Sequence, residues 1–434
     1  MATINNAYKT NILNLKNITY YAKTHEFKKA DIRIKNGKIS EILPLNSIVN
    51  NDDAIIDSTD LVIFPGIINA HLHPSKELYL GLADYGGISE ILDAVHKNNQ
   101  LETDQMQQIA SLYSIAKNIS EGVTALGIFT SRAENDILQI NAVGARAIIH
   151  FAQNDQWIGK ETKPSTISID NIVHTYLNLA QKYDSEMISI HPATASELSA
   201  STDLIKNLYA LAKEKHKKFA MHISEGKHQV SQCVEHYGFS GINLLDRVIG
   251  LNNNLLLIHA TSLSQQDLNL IYKTSVNFVH CPVSNSFTGS GKFPFKKLLA
   301  HNIGIGTDAA MVNPFNRLPF DAAFSLYFHG SSDLNDKVSS KEIIESLTIK
   351  GATSLGLKNL GTIEEGAYAD LCYFDKRNIF TESENPSLVF LEKILTDNPR
   401  HVMINGEFII YDRCFTRFNF MEIENLFMKN RMRI

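Results

Sequence analysis

Over the first 64 positions the apolar residues fall in short alternating runs, ILNLKNITYYA, ADIRIKNGKISEIL and DAIIDSTDLVIF, separated by polar turn residues. A period of two fits half-buried strands, and Asn36-Gly37 between two such runs is a hairpin signal. The same texture returns at GTIEEGAYADLCYFD and HVMINGEFIIYD, where Asn405-Gly406 marks a second hairpin. Two short β-rich pieces bury their apolar faces better together than apart. The pattern therefore predicts one discontinuous β domain from residues 1–64 and 360–412, and a C-terminal tail, 413–434, whose helix from Asn419 to Ile434 reads as short and basic.

Between the ends the period changes. Apolar runs at 62–71, 122–129, 145–151, 187–191, 218–222, 254–259, 275–280 and 303–308 alternate with segments of helical period such as ASLYSIAKNIS and STDLIKNLYALAKEKH. Buried-type strands alternating with helices indicate an α/β fold with a parallel sheet, either closed or doubly wound. The polar punctuation decides between them. Most runs end in an ionisable residue, namely His71, His191, His222, His259, His280 and Asp308. A (β/α)₈ barrel gathers its C-terminal strand ends at one mouth, whereas an open sheet spreads them along an edge. A barrel over residues 65–359 is the prediction.

Composition narrows the class. The 434 residues are 44% hydrophobic and 20% charged, which excludes a disordered or fibrous chain. The 41 basic and 46 acidic residues leave a net charge of −5, so no basic excess argues for a nucleic acid or a membrane surface. Cys233, Cys281, Cys372 and Cys414 form no CxxC pair, which points away from disulfide frameworks and thiolate clusters and towards a reducing compartment. The N-terminus MATINNAYKTN lacks the apolar core of a signal peptide, and no run reaches the roughly 20 apolar residues of a bilayer span. A cytoplasmic enzyme of small molecules, assembled as a homodimer, is the expectation.

The chemistry starts at His71-Leu72-His73. Residues i and i+2 of a strand share a face, so both imidazoles can reach one ion. His222 and Asp308 end two further strands and are ligand types suited to zinc or iron. Glu225, three residues after His222, either moves a proton at the reacting centre or caps the following helix. His259 either polarises water or substrate, adds a ligand, or is structural.

The segments FPGIINAHLH, MHISEG, LLIHATSLS, VHCPVSNS and IGIGTDAA resemble, in order and spacing, the signature segments of the amidohydrolase superfamily. The branch most similar is the cytosine deaminase, chlorohydrolase and adenosylhomocysteine deaminase-like group. The resemblance spans nearly the whole chain, since GTIEEGAYADLCYF is similar to that family's return to its β-sandwich. It implies that His71, His73, His222 and Asp308 hold one divalent metal, that Glu225 shuttles protons, and that His259 orients water or polarises the scissile group. Asp308 would also accept a proton from the attacking water, and His191 would either face the substrate or serve as a hydrogen-bonded histidine. Binuclear members carry a carboxylated lysine at the end of the fourth strand; MISIHPATASEL has none, so a single ion is implied, zinc by default, with iron or manganese as alternatives.

Substrate signals are fewer. The stretch after HLH contains no arginine, although many members of the branch hold substrate with one there. Lys76, Glu77 and Tyr79 in that first loop are candidate pocket residues, and so are Asn154, Asp155 and Trp157 in FAQNDQWIGK, the tryptophan either stacking on a planar ring or simply packing. Asn285 and Asn313 either touch substrate or shape turns, and Cys281 is expected to be buried. The leading reaction is hydrolysis of a C–N bond, by deamination of an N-heterocycle or cleavage of a small amide or amidine. The alternatives are a cyclase forming a benzoxazole-type heterocycle by condensation, and a non-catalytic binding protein on the same fold.

Overall fold

The computed structural model of the chain describes residues 12–48, 54–81, 87–159, 166–331, 333–377, 379 and 382–431. The polar N-terminal stretch 1–11 and the part of the first loop at 82–86 lie outside the described residues. Two sheets organise the molecule. Strands β1 (Ile12–Tyr21), β2 (Phe27–Lys35), β3 (Lys38–Leu43), β4 (Ala54–Asp57) and β5 (Leu61–Pro65) come from the start of the chain. Eight strands follow: β6 (Ile67–Leu72), β7 (Val123–Thr130), β8 (Arg146–Ala152), β9 (Ile188–Ser196), β10 (Phe219–Ile223), β11 (Leu255–His259), β12 (Asn277–His280) and β13 (Ile303–Ile305). The chain then returns to the first sheet with β14 (Leu371–Asp375), β15 (His401–Ile404), β16 (Glu407–Tyr411) and β17 (Cys414–Phe415).

The eight middle strands form one parallel sheet in strict chain order from β6 to β13. Helices connect them, as the alternation of periods requires. In β8, Ala147, Ile149 and Phe151 pack outward with the helices, while Ile148 and Ala152 face an inner cluster with Ala70, Ala125, Ala193, Ala220 and Leu256. The sheet closes where Asp308 N–H donates to the carbonyl of His71 at 3.0 Å and Leu72 bridges Asp308. Closure needs a residue without a side chain beside it. A Cβ on Gly306 would lie 2.7 Å from the backbone N and O of His71, too close for any side chain.

The end segments form a second sheet in the order β17-β16-β15-β14-β5-β1-β2-β3, with β4 beside β1. It curls upon itself. The hairpin turn at Asn36-Gly37 meets the one at Asn405-Gly406 so closely that a Cβ on Gly406 would lie 2.9 Å from Gly37 Cα, and Ala369 N–H donates to Gly37 O at 2.8 Å. The two arms thereby share one core that includes Leu15, Ile32, Ile39, Leu371, Met403 and Phe408. The sheet is fastened to the barrel by a buried ion pair: Arg146, at the start of β8, places Nε 3.0 Å and Nη2 3.2 Å from the carboxylate of Asp370. Breaking one side of such a pair costs about 3–5 kcal/mol, because the other charge is left buried alone.

The tail differs from its reading as a basic helix. Its helix, Phe420–Asn430, carries Glu422 and Glu424 against Lys429, and Arg431 caps its end; residues 432–434 lie outside the described residues. It is held by apolar docking: Phe427 stacks on Tyr113 of the helix Asp104–Ser120 at 4.3 Å between ring centroids.

Gly306→Ala should destabilise the protein by about 1–3 kcal/mol, the usual cost of overpacking a tight contact. Urea denaturation of the metal-free protein measures it; an unchanged midpoint would mean that the barrel closes without this close approach.

Candidate metal centre and active site

His71 and His73 leave the end of β6, His222 the end of β10, and Asp308 follows β13, so three strand ends supply one cluster. His71 Nε2 lies 3.1 Å from His73 Nε2 and 3.2 Å from His222 Nε2. Asp308 Oδ1 lies 3.4 Å from both His71 Nε2 and His73 Nε2. Four-coordinate zinc with ligands at about 2.0–2.1 Å has ligand–ligand edges of about 3.3 Å; the His71–His73, His71–His222 and Asp308 spacings above match such edges, with His71 as their common member. Burial pushes His71 down to about 4 and His73 and His222 down to about 3, so at neutral pH these rings present lone pairs. Lone pairs converging on one buried point beside a carboxylate repel one another unless a cation answers them.

The surroundings fix these rings. His222 Nδ1–H donates to Ala195 O at 2.6 Å, which aims Nε2 at the cluster. Asn154 holds that carbonyl in place, since its Oδ1 accepts from Ala195 N at 2.9 Å and from Thr194 Oγ1 at 3.0 Å. Ser284 Oγ–H donates to Asp308 Oδ2 at 2.6 Å, and Ala309 N–H to Oδ1 at 2.8 Å. Burial opposes ionisation of the Asp308 carboxyl, and these two donors favour its charged form.

Glu225 and His259 complete the arrangement. Glu225 Oε2 is 3.6 Å from His259 Nε2, which is in turn 3.8 Å from Asp308 Oδ2. The backbone leaves its strands sharply here, with Ser224 at φ 48°, His259 at 71°, Ala260 at 44° and Asp308 at 64°. Left-handed conformations at non-glycine residues cost about 1–3 kcal/mol each and cluster where function over-determines the chain. The following helix, Lys227–Tyr237, has its N-cap at Gly226, one residue beyond Glu225. The Glu225 turn rests on a group with no forewarning in the sequence. Glu197 is completely buried, and its carboxyl accepts from Ser224 N at 3.0 Å and from Gln229 Nε2 at 2.7 Å. Burial pushes Glu197 up to about 7.

Other sequence candidates sit elsewhere. His191 is not brought to the cluster. Strand β9 runs on to Ser196, and in the register of β10 it is Ser196 that lies beside His222. His191 is therefore a lower layer of the barrel, its ring 5.8 Å from that of His150 and its Nδ1 accepting from Lys218 N at 3.4 Å. Lys76 and Tyr79 are drawn to Glu102: Lys76 Nζ is 2.7 Å from Oε1, and the Tyr79 hydroxyl donates to the same oxygen. Tyr79 is buried among Leu78, Ile91 and Val95, so this pair organises the first loop. Glu77 is likewise buried and accepts from Asn316 Nδ2 at 2.6 Å. Trp157 meets His96 edge-on at 5.7 Å, and Asp155 holds Ser201. Asn313 bonds Thr307 O and Asp321, shaping a turn. Cys281 is buried, its thiol raised well above its ordinary pKa by burial. Beside Glu225 opens a groove of about 1520 Å³ whose lining includes Ser89, Thr261, Ser262, Thr288 and Ser290.

The sequence profile of the amidohydrolase family matches residues 62–409. The 5-methylthioadenosine/S-adenosylhomocysteine deaminase of Pyrococcus furiosus is 27% identical over 414 residues, covering 94% of this chain and 97% of its own. The 5'-deoxyadenosine deaminase of Methanobrevibacter smithii is 28% identical over 355 residues, 81% of this chain and 80% of its own. Among solved structures, atrazine chlorohydrolase of Arthrobacter aurescens complexed with zinc superposes with a TM-score of 0.89 at 16% identity, covering 97% of this chain and 100% of that one. An adenosine deaminase of Xanthomonas campestris with bound zinc gives 0.85 at 20% identity over 97% of each chain. These two likenesses establish the fold.

Removing a ligand should cost the site its metal. His73→Ala is expected to weaken divalent-metal affinity by more than the ~10–100-fold typical of outer-shell changes, as read by metal analysis after dialysis against a competing chelator. Unaltered retention would exclude His73 from the ligand set.

Proposed function

The chain belongs to the amidohydrolase family, and on that premise we propose that it is a metal-dependent hydrolase that deaminates an amino-substituted N-heterocycle of the adenosine-type nucleoside class. One observation carries the reading. His71 Nε2 lies at metal-ligand spacing from an imidazole nitrogen of His73, one of His222 and a carboxylate oxygen of Asp308, with Glu225 and His259 beside them. His71, His73, His222 and Asp308 would hold a single divalent ion, zinc for preference. Bound there, the ion activates water and offsets negative charge at the reacting carbon.

The protein's own groups do the rest. Asp308, whose Oδ2 is 3.8 Å from His259 Nε2, would take a proton from the attacking water, and His259 would orient that water. Water adds to the carbon bearing the amino group: a C–O bond forms, the ring C=N π bond breaks, and Glu225 protonates the ring nitrogen. The new hydroxyl returns a proton to Glu225, which delivers it to the departing nitrogen; the C–N bond breaks, and ammonia leaves a ring carbonyl behind. Near-complete burial of Glu225, His259 and Asp308 excludes bulk water and strengthens every charge interaction. The hydroxyl-rich groove beside Glu225 suits a polar substituent such as a sugar on the ring. The names of the two curated relatives, both deaminases of adenosine derivatives, support the same class. A cytoplasmic homodimer completes the reading; no helix among the described residues is long and apolar enough to cross a membrane.

Zinc-loaded protein should release one ammonia per molecule of an adenosine-type nucleoside consumed, and the panel to test is adenosine, 5'-deoxyadenosine, 5'-methylthioadenosine and S-adenosylhomocysteine. Release from none of the four would overturn this substrate class. Glu225→Gln should keep the metal while kcat falls by roughly two to four orders of magnitude, the range of general acid–base catalysis. Near-normal turnover in that variant would assign the proton transfer to another group.

A further inference from the structure

A string of buried side chains leaves the site through the barrel wall. His259 Nδ1 is 2.8 Å from Asn285 Oδ1, Asn285 Nδ2 is 3.5 Å from His280 Nδ1, and His280 Nε2 is 3.0 Å from His329 Nε2. None of the four residues is more than 1% exposed. Their elements converge from β11, the short helix Pro282–Phe287, β12 and the helix Leu318–Gly330. Phe293 stacks on the His280 ring at 4.9 Å, and Phe295 lies 5.3 Å from that of His329. Lys292 Nζ bonds the carbonyl of His329 at 3.0 Å and Asp336 at 3.1 Å, which pins the outer end.

A neutral imidazole has one N–H and one lone pair, so a hydrogen bond at one nitrogen dictates the state of the other. Burial holds His280 well below its ordinary pKa and His329 down at about 4, so both are neutral near pH 7. In such a string the direction chosen at one link propagates to all. Asn285 makes the choice, with its oxygen towards His259 and its amide N–H₂ towards His280. His259 Nδ1–H donates to Asn285, Asn285 donates to His280 Nδ1, and His280 Nε2–H donates to His329 Nε2. Glu225 Oε2 at 3.6 Å and Asp308 Oδ2 at 3.8 Å lie on the Nε2 side of the same ring, and the Asn285 oxygen lies on its Nδ1 side.

We propose that this string is a tautomer lock. Asn285, backed by His280 and His329, is a positioning residue that keeps Nε2 of His259 unprotonated and aimed into the site. His259 therefore accepts a hydrogen bond from the attacking water and donates none to the substrate. The functional half of this inference rests on the hydrolytic reading above; the tautomer does not.

Nitrogen NMR of zinc-loaded protein labelled at histidine with ¹⁵N tests it, with His259 assigned by comparison with His259→Gln. The expected spectrum shows a protonated Nδ1 and an unprotonated Nε2 at His259. Asn285→Leu should bring up the opposite tautomer, with zinc content unchanged. Its kcat should fall by up to about 100-fold, the lower bound of acid–base contributions, with KM little altered. Asn285→Asp, which keeps an acceptor facing Nδ1, should restore the original tautomer and most of the rate. His329→Leu, two links away, should add a second tautomer signal and covers the case in which Asn285→Leu does not fold. A protonated Nε2 in the unaltered protein overturns the proposal. So does a folded Asn285→Leu protein, or in its place a His329→Leu protein, whose His259 spectrum matches the unaltered one. The spectrum needs no substrate, so failure of ammonia release would remove the hydrolytic reading and leave the lock standing, and the converse also holds.

Discussion

The hydrogen bond from Asp308 N–H to His71 O, 3.0 Å long, does two jobs. It closes the barrel between its first and last strands, and it fixes the Asp308 carboxylate, just past β13, beside the imidazoles of His71 and His73. Register along the other strands then has little freedom. With β6 to β13 running parallel and in order, the position of His222 relative to His71 follows from the ladder between them. Gly306, which lets the two strands approach, is thus part of the metal site although it carries no side chain.

Around this closure the protein places strained backbone and buried polar groups in a pattern with one direction. The clustered side chains face inward, and their rear atoms are bound by the scaffold: His222 through Ala195 and Asn154, Asp308 through Ser284, His259 through Asn285. Each of these holds a ring or carboxylate in the orientation that the centre needs before any substrate arrives. Preorganisation of this kind costs stability locally and removes reorganisation from the reaction itself. The outlying Arg146–Asp370 pair and the curled end sheet supply the rigid base against which that strain is held.

Much of this was legible in the sequence, and the reasons for the rest are physical. All eight barrel strands announce themselves because they are buried on both faces and read as apolar runs, and three of their ends carry the four candidate ligands. The chain ends were readable from their Asn-Gly turns, which meet in the structure. His191 misled because β9 continues for five residues in the polar dress of PATAS, so the apolar run stopped short of the true strand end. Lys76 and Tyr79 looked like pocket residues because their partner, Glu102, lies some two dozen positions away and leaves no local trace. Glu197 was missed for the same reason: a buried carboxyl whose bond is to a backbone N–H on another strand has no spacing to detect. The tail's arginines suggested a basic helix, but aromatic packing by Phe427 is what docks it.

The central claim is that four atoms from three strand ends hold one ion, and anomalous diffraction at the zinc edge from crystals of the zinc-loaded protein tests it most directly. The account predicts a single peak about 2.0–2.2 Å from His71 Nε2, His73 Nε2, His222 Nε2 and an Asp308 carboxylate oxygen. Two peaks within the barrel mouth, or one peak bound by a different set of residues, would contradict it.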